Sequence, residues 1–494
     1  MLRGYMSGKF NVLFLAPEVA PFAKTGGLAD VAGSLPDALR RQGVDASICL
    51  PLYRTVKEGG FRLTRMIAGL EVPLGAGKLA CTIWSGETSQ GTPVYFIERE
   101  DLYDRPNLYR NPEGDYYDNF ERFTFFSRAV LYFAQHAGIR IDVIHCHDWQ
   151  TGLVPVYLKT LFRGEPFFLN TTSVFTIHNI GYQGLFPPEK LRLSGIPYSE
   201  FHPEGLEYWG QVSLLKAGIV YSDVITTVSP RYGKEIQTAE MGLGMEGILR
   251  KRSDSLYGIL NGADYSQWDP AVDPHLPVRY GAEELKGKKE CKTLLISEMG
   301  MDERMADKPL LGFISRLSGQ KGCDLLLRVA HRVIEDGAGL AVLGAGEEHY
   351  EKAVAKLAED HPGRIGVRIG FDEPLAHRIM AGSDILLVPS QYEPCGLTQL
   401  YALRYGTIPV VRATGGLADT ITPFDLATRE GNGFRFESFE PESFFSAIRQ
   451  ALSLYRKVRI WRQLVVSGMK ADFSWDRSAE SYLEIYRGLL TWDH

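Results

Sequence analysis

The chain of 494 residues lacks the features that assign a protein at once to one of several common classes. It has no uninterrupted apolar run near the ~20 residues that a helix needs to cross a bilayer, which argues against a transmembrane protein. It also has no basic excess, because 54 lysines and arginines stand against 60 acidic residues and give a formal charge of −6. A mildly acidic chain has no general affinity for nucleic acid, so any affinity for phosphate must come from a local site.

We expect neither a disulfide framework nor a signal peptide. The six cysteines are scattered and form no C-x-x-C motif, which is typical of reduced thiols in a cytosol. The start of the chain, 1–10, contains Arg3 and Lys9 but not the apolar segment of a signal peptide. We therefore expect a cytoplasmic protein that is not bound to a membrane.

Two motifs that often hold phosphate or metal are also absent. The sequence contains no G-x-x-x-x-G-K-[ST] loop and no Asp-x-Asp pair, with which many sugar transferases hold Mg²⁺ or Mn²⁺. His145, His147 and Asp148 follow one another at the end of a predicted strand, but no third ligand stands at a convincing spacing. We expect no bound metal and no other cofactor, and cationic side chains would then have to neutralise any bound phosphate.

What the sequence does contain is a regular alternation of short apolar runs and amphipathic helices. Continuous apolar runs of this length are typical of parallel strands that are covered on both faces. The predicted strands are 12–16, 46–50, 94–97, 143–145, 174–177 and 224–228 in the first half, and 310–315, 340–343, 366–369, 385–389 and 408–411 in the second. The alternation predicts an α/β fold with two Rossmann-like, doubly wound domains.

The domain boundaries follow from composition. Residues 268–289 mix Pro, Asp and Lys, which is typical of a linker. We predict an N-terminal domain over 1–262, a linker over 263–290, a C-terminal domain over 291–470 and a final segment, 471–494, that contains an amphipathic helix over 474–490.

One hexapeptide, Thr-Gly-Gly-Leu-Ala-Asp, occurs in both halves, at 25–30 and at 414–419. Each copy lies between a predicted strand and a predicted helix. Chance, or the same turn formed twice, would explain the repeat. We favour two loops that face one ligand across a cleft between the domains.

Glycine-rich turns follow several of the predicted strands. Paired glycines let backbone N–H groups approach an anion, and a following helix adds its positive end. Three turns have this character: 26–27, 344–346 and 415–416. Each one alone is weak, because short turns need glycine in any case, but together they indicate a bound diphosphate.

Arg316 and Lys321 form the strongest cationic cluster, directly after the predicted strand 310–315. An arginine offers a bidentate fork to phosphate oxygens and a lysine offers a mobile point charge. A leaving nucleotide diphosphate needs such charges, because negative charge builds on its oxygen in the transition state. A lone Arg or Lys is more often merely solvated, and the position of these two beside a strand end favours the functional interpretation.

Two further candidates lie at predicted strand ends. Pro394 suits the first position of a helix and would leave Glu393 as its N-cap. The alternative is that Glu393 binds sugar hydroxyls while the amides of 396–398 face the diphosphate. His178 follows the strand 174–177, and although a lone histidine more often packs in a core, its place at this edge makes it a candidate.

Taken together, these motifs resemble those of bacterial glycogen synthase and plant starch synthase, the retaining GT-B glucosyltransferases that use ADP-glucose. The residues that carry the resemblance span nearly the whole chain and are Lys24-Thr25-Gly26-Gly27-Leu28, His147-Asp148-Trp149, His178-Asn179 with Tyr182-Gln183-Gly184, Ser315-Arg316-Leu317 with Gln320-Lys321-Gly322, Glu393 to Thr398, and Thr414-Gly415-Gly416-Leu417.

The resemblance implies an activity and its partners. Glucose would pass from ADP-glucose to the non-reducing 4-hydroxyl of glycogen or another α-1,4-glucan, with retention of the anomeric configuration. Nucleic acid and membranes are not implied as partners. In this family the C-terminal helix returns to the first domain, as we expect of 474–490 here.

The resemblance also implies roles for individual residues. The implied catalytic residues are Glu393, Arg316, Lys321, His178 and Asp148. The implied donor-binding residues are Lys24, Gly26, Gly27, Gly396, Leu397, Thr398, Thr414, Gly415 and Gly416. A second glutamate of related retaining families is replaced here by Tyr401, so we expect Glu393 to act alone.

Three alternatives stay open at the level of sequence. The chain would also suit a related transferase that makes sucrose phosphate, trehalose phosphate or another glucoside. A glucan phosphorylase shares the two-domain plan but requires pyridoxal phosphate, and a binding protein without activity is the third alternative. Among the aromatic residues of 104–126, helical spacing from Phe120 onward predicts core packing, which leaves Tyr116 and Tyr117 as candidates for stacking on glucan rings.

Overall fold

The structure is a computed structural model that describes residues 9–491. Residues 1–8, which make up most of the segment assessed for a leader, and residues 492–494 lie outside the described residues. The chain forms two compact units. Unit 1 contains the residues up to Gly262 together with those from Trp475 onward, and unit 2 is Ala263–Ser474.

The strands of the described residues are β1 Asn11–Leu15, β2 Asp45–Pro51, β3 Thr64–Leu74, β4 Gly77–Glu87, β5 Pro93–Glu98, β6 Arg110–Asn111, β7 Gly114–Asp115, β8 Val143–His147, β9 Thr172–Ile177, β10 Leu185–Phe186, β11 Glu207–Tyr208, β12 Gln211–Ser213, β13 Val224–Thr227, β14 Leu256–Gly258, β15 Leu310–Ile314, β16 Gly339–Gly344, β17 Ile365–Ile369, β18 Ile385–Val388, β19 Ile408–Arg412 and β20 Phe434–Phe436.

The α-helices are α1 Gly27–Arg41, α2 Arg54–Glu58, α3 Glu100–Tyr103, α4 Asn119–Ala137, α5 Leu153–Lys159, α6 Leu191–Ser194, α7 Leu214–Tyr221, α8 Pro230–Glu235, α9 Glu246–Lys251, α10 Lys286–Glu298, α11 Cys323–Glu335, α12 Glu348–Asp360, α13 Glu373–Gly382, α14 Thr398–Arg404, α15 Gly415–Thr420, α16 Pro441–Tyr455, α17 Val458–Lys470 and α18 Trp475–Thr491.

Unit 1 is built on one large sheet with the strand order β14-β13-β9-β8-β1-β2-β5-β4-β3. The strands from β14 to β5 pair in parallel, and the central strands β13, β9, β8 and β1 are buried on both faces. The hairpin of β3 and β4 is antiparallel and was not among the strands predicted from the sequence. Its register shifts between Arg65 and Leu70 break the alternation that a sequence pattern relies on.

Unit 2 contains a parallel sheet with the order β17-β16-β15-β18-β19-β20. Helices such as α11 and α13 cover it, and α11 turns an apolar stripe that includes Leu326 and Val329 toward the core. The two sheets together give the two-domain α/β architecture that the alternation of strands and helices predicts.

The segment 263–290 is grouped with unit 2 and packs into it. The indole of Trp268 lies between the rings of His377, at 3.7 Å and 14°, and Tyr401, at 4.3 Å and 4°. Nearby, Nδ1 of His377 lies 2.7 Å from a carboxylate oxygen of the buried Asp273. The prolines and charges of this segment resemble linker composition, but its aromatic and carboxylate side chains fix it to the core of unit 2.

Helix α18 belongs to unit 1, where it packs against α1. Its Tyr486 hydroxyl is 2.7 Å from Nδ1 of His145 in the sheet, and Arg41 forms an ion pair with Asp476 at 2.7 Å. Over the described part of the chain, none of the helices is both long enough and apolar enough to span a membrane.

Candidate functional site

In unit 1 the candidate residues follow three neighbouring parallel strands. Strands β9, β8 and β1 lie side by side, and their carboxyl ends meet at one edge of the sheet. His178 comes directly after β9 and Asp148 directly after β8, while the loop that contains Lys24 follows β1. This edge is where open α/β sheets bind ligands.

Asp148 holds the turn after the neighbouring strand. Its Oδ1 accepts a hydrogen bond from the backbone N–H of His178 at 2.7 Å. Burial raises the pKa of Asp148 to about 7, although the backbone N–H groups of His178 and Asn179 oppose the shift. The backbone of Asp148, at φ 56° and ψ −179°, lies in a region that residues other than glycine rarely adopt. A residue that combines such a costly backbone conformation with a buried carboxylate is typical of a functional site.

His178 is paired with a second histidine that sequence reasoning did not assign to the site. Its Nε2 lies 2.8 Å from Nδ1 of His147, and the two side chains are buried. Burial lowers the pKa of His178 to about 3 and holds that of His147 well below its ordinary value. Both imidazoles are therefore neutral at physiological pH.

Glu18 organises the glycine-rich loop after β1 and is a site residue that the sequence did not reveal. This buried carboxylate accepts hydrogen bonds from the backbone of Thr25 at 2.5 Å and of Gly26 at 3.2 Å, and from the Tyr109 hydroxyl at 2.8 Å. The amide of Gly26, expected to reach the donor, is thus already bonded within the unit. Lys24 is half-exposed and forms an ion pair with Asp30 at 2.7 Å.

In unit 2 the candidates follow β15 and β18, which are neighbours in the sheet. Nζ of Lys321 lies 2.6 Å from Oε2 of Glu393, and the hydroxyl of Ser390 donates to the same oxygen at 2.9 Å. Glu393 and Ser390 are buried and Lys321 is mostly buried. The structure brings together two predicted site residues that are 72 positions apart in sequence, and adds Ser390 to them.

The expected role of Glu393 as a helix N-cap is wrong. Helix α14 begins at Thr398 with Leu397 as its N-cap, because Gly396 turns the chain with φ +73° before the helix starts. The carboxylate of Glu393 is directed to Lys321 and Ser390 instead. Among the described residues, no partner is found for the backbone N–H groups of 396–398.

Arg316 differs from Lys321 in its surroundings. Its side chain is exposed, and within residues 9–491 it forms no ion pair and no side-chain hydrogen bond. An unpaired guanidinium at the end of a parallel strand keeps all five of its N–H donors for a ligand.

The glycine-rich turns of unit 2 serve packing. A Cβ on Gly344 would lie 2.0 Å from the carbonyl oxygen of Ser315, and one on Gly416 would lie 2.2 Å from that of Cys395. The amide of Gly416 also bonds to the Glu393 carbonyl at 3.2 Å. These glycines let neighbouring loops approach each other, which fixes the backbone beneath Glu393. Gly26 in unit 1 is different, because a Cβ added there would have no described atom within 4 Å.

The aromatic residues considered for stacking on glucan rings have different surroundings in the structure. Phe120 and Phe123 are fully buried, as their helical spacing predicts. Tyr116 lies under the guanidinium groups of Arg105, at 4.7 Å, and Arg122, at 5.1 Å, and so has a structural role. Tyr117 is 86% exposed and stays a candidate for glucan stacking.

No group of three or more His, Cys, Asp or Glu side chains within the described range is arranged to hold a metal ion. The cluster of His145, His147 and His178 is engaged in hydrogen bonds and ring stacking instead.

Two α/β units, each with a sheet of mainly parallel strands and with these residues at its carboxyl edge, have the architecture of a GT-B glycosyltransferase. Residues 11–251 match the family described as the starch synthase catalytic domain, and residues 302–463 match glycosyl transferases group 1. Glycogen synthase of Syntrophotalea carbinolica is 47% identical over 98% of this chain and 100% of its own length. That of Geobacillus stearothermophilus is 45% identical over 97% of this chain and 98% of its own. The chain belongs to the glycogen synthase family.

Solved structures agree with this assignment. The catalytic domain of starch synthase IV from Arabidopsis thaliana, bound to ADP and acarbose, superposes with a TM-score of 0.92 at 35% identity and covers 98% of this chain and 100% of that one. Sucrose-phosphate synthase from Thermosynechococcus elongatus gives a TM-score of 0.60 at 16% identity over 97% of this chain and 99% of that one, a likeness of fold alone.

Proposed function

We propose that the chain transfers glucose from ADP-glucose to the non-reducing 4-hydroxyl of an α-1,4-glucan, in the cytoplasm and without a metal ion. The observation that carries the proposal is the pairing of Lys321 with Glu393, with the exposed Arg316 in the same segment after β15 as Lys321. One carboxylate and two cations at neighbouring strand ends suit a sugar that leaves a diphosphate. The family relationship and the ADP in the starch synthase IV structure support the choice of donor.

Lys321 and Glu393 each keep hydrogen-bonding capacity for a ligand. Lys321 uses one of its three N–H donors on Glu393 and keeps two for phosphate oxygens. Glu393 uses Oε2 for Lys321 and Ser390, and in the described part of the chain its Oε1 has no partner, so this oxygen can accept from a glucose hydroxyl. Together with Arg316, Lys321 would neutralise the charge that develops on the leaving diphosphate.

Transfer with retention then needs no covalent intermediate. The bond between the anomeric carbon and the diphosphate breaks, and the glucan 4-hydroxyl oxygen bonds to that carbon on the same face. The hydroxyl proton passes to the leaving phosphate oxygen. Positioning and charge stabilisation would supply most of the rate. We propose that His178 and Asp148 of unit 1 position the sugar, and that Lys24, Gly26, Gly27 and the turn amides of 396–398 contribute to donor binding. The turn 414–416 instead supports the site, because the amides of Thr414 and Gly416 are bonded within unit 2 to the carbonyl oxygens of Arg412 and Glu393.

The test is release of ADP from ADP-glucose with glycogen as acceptor, run beside UDP-glucose and beside fructose 6-phosphate and glucose 6-phosphate as small acceptors. We expect ADP release with glycogen, and an exo-acting α-1,4-specific glucanase should release all of the newly added glucose. Release with a small sugar phosphate alone would assign a different transferase. Binding of ADP-glucose without turnover on any acceptor would show a binding protein.

A further inference from the structure

The imidazole ring of His147 lies against the ring of His178, which belongs to the proposed site. Its Nδ1 lies 2.8 Å from Nε2 of His178, and the ring centroids are 5.1 Å apart. We propose that His147 is a positioning residue that donates its Nδ1 proton to Nε2 of His178 and thereby holds His178 as the Nδ1–H tautomer. The benefit for catalysis rests on the proposed function, whereas the position of the proton does not.

A single proton must lie between Nδ1 of His147 and Nε2 of His178. A neutral imidazole has one N–H donor and one bare acceptor nitrogen, whereas a protonated ring has two donors. Burial keeps both His147 and His178 neutral, because it lowers the pKa of each. At 2.8 Å two bare nitrogens would repel each other, and so would two N–H groups. One ring therefore donates to the other.

The far nitrogen of His147 decides the direction. Its Nε2 is fully buried and has no hydrogen-bond partner among the described residues. If His178 donated, the proton of His147 would sit on this Nε2 as a buried N–H without an acceptor. If His147 donates, Nε2 is a bare lone pair. Orphaned buried N–H groups are rarer than under-used acceptors, so the second arrangement is favoured.

The ring of His147 is also held in place. It stacks on His145, with centroids 4.3 Å apart at 28°, and on Phe14, at 5.8 Å and 21°. His145 cannot replace it as a donor to His178, because both of its nitrogens are used, Nδ1 by the Tyr486 hydroxyl at 2.7 Å and Nε2 by the Thr176 hydroxyl at 2.6 Å.

The position of this proton determines what the other ring nitrogen of His178, Nδ1, offers to a ligand. With Nε2 accepting, its own proton is on Nδ1, and within residues 9–491 that atom has no partner. The ring then presents a neutral N–H donor, which suits a hydroxyl oxygen of a sugar. The other tautomer would present a bare nitrogen, which requires a donor from the ligand instead.

Two substitutions of His147 test whether its hydrogen bond to His178 matters or only the space that its side chain fills. In His147→Asn the side-chain amide is attached to Cγ, as Nδ1 is in histidine, and can still donate to His178. In His147→Gln the amide lies one bond further along the side chain, toward the position of Nε2. His145→Asn is the matched control, because His145 is equally buried on the same strand but makes no hydrogen bond to His178.

The direct readout is the ¹⁵N spectrum of histidine-labelled protein without substrate, with the His178 signals assigned by their loss in His178→Gln. We expect a protonated Nδ1 and a bare Nε2 in the parent, in His147→Asn and in His145→Asn, and a mixture of tautomers in His147→Gln. A parent protein with the proton on Nε2 of His178 would overturn the proposal, as would a spectrum that His147→Gln leaves unchanged.

Turnover supplies the second readout. With ADP-glucose and glycogen, we expect kcat of His147→Gln to fall about tenfold below that of His147→Asn, with melting temperatures that match between the two. Equal losses in both, matched by His145→Asn, would show that His147 acts through packing alone. A parent that has the expected tautomer but does not turn over would refute the proposed function and leave the positioning role standing.

Discussion

Asp148 should make the fold less stable at neutral pH, and its replacement by asparagine should reveal this. Burial raises the pKa of Asp148 to about 7, and the nearby carboxylate of Glu18 adds to the shift. Asp148→Asn removes the charge but keeps an oxygen that can accept from the backbone N–H of His178. Asparagine tolerates positive φ about as well as aspartate, so the backbone conformation contributes equally to both.

The sign and size follow from the two states of the carboxyl group. Its pKa is about 7 in the folded chain and about 3.9 when unfolded, so the folded state binds the proton more tightly. Stability is therefore fully present below pH ~4 and is lost as the pH rises to about 7. The loss is about 3 pKa units, or about 4 kcal/mol. We expect Asp148→Asn to stabilise by about 4 kcal/mol at pH 8 and by less than about 1 kcal/mol at pH 4.5.

The assay is urea unfolding of the whole chain at pH 4.5, 6 and 8, followed by circular dichroism. If the two units unfold in separate transitions, the transition to analyse is the one whose urea midpoint the substitution shifts. Asp254→Asn is the control, because Asp254 is an exposed aspartate of the same unit, and we expect changes within about 0.5 kcal/mol at each pH. The stabilised Asp148→Asn should transfer glucose poorly, as a trade-off between stability and activity requires. A gain that is the same at pH 4.5 and pH 8 would refute the buried-charge reasoning.

Further predictions concern the donor side and the glycine loop. Arg316→Ala should lower kcat about 10²-fold without changing the melting temperature, since the side chain is exposed and unpaired; normal kinetics would remove it from the mechanism. Lys321→Ala leaves the buried Glu393 without its cation and should cost about 2 kcal/mol in urea unfolding, most of which the added change Glu393→Gln should restore; additive losses would contradict this coupling. Gly26→Ala meets open space and should raise the KM for the donor, although alanine is a poorer N-cap than glycine for α1 and should cost about 0.5–1 kcal/mol. Gly247→Ala, also in open space, is the control, and an equal KM in both variants would exclude a ligand contact at Gly26.

Much of the candidate site could be predicted from the sequence, because the site follows buried parallel strands. Such strands are short, buried and rich in apolar residues, and the apolar residues of Val143–His147 and Thr172–Ile177 were enough to predict strands over 143–145 and 174–177. The residues that follow them, Asp148 and His178, must then lie at one edge of a sheet. The helix expected from Pro394 failed because a proline marks a permitted helix start and does not require one.

The sequence by itself determined the central parallel strands of the two α/β sheets, their order along the chain and the residues at their carboxyl ends, since these depend on local runs of apolar residues. It did not predict the hairpin of β3 and β4 or the short strands β14 and β20. Only the tertiary structure decided which partners those residues have. It joined Lys321 to Glu393, placed Glu18 beneath the loop of Gly26 and set His147 against His178. These contacts link residues that are distant in sequence or lie on different strands, and local spacing carries no information about them. Burial then shifted the pKa values, because desolvation depends on the packing of the whole unit.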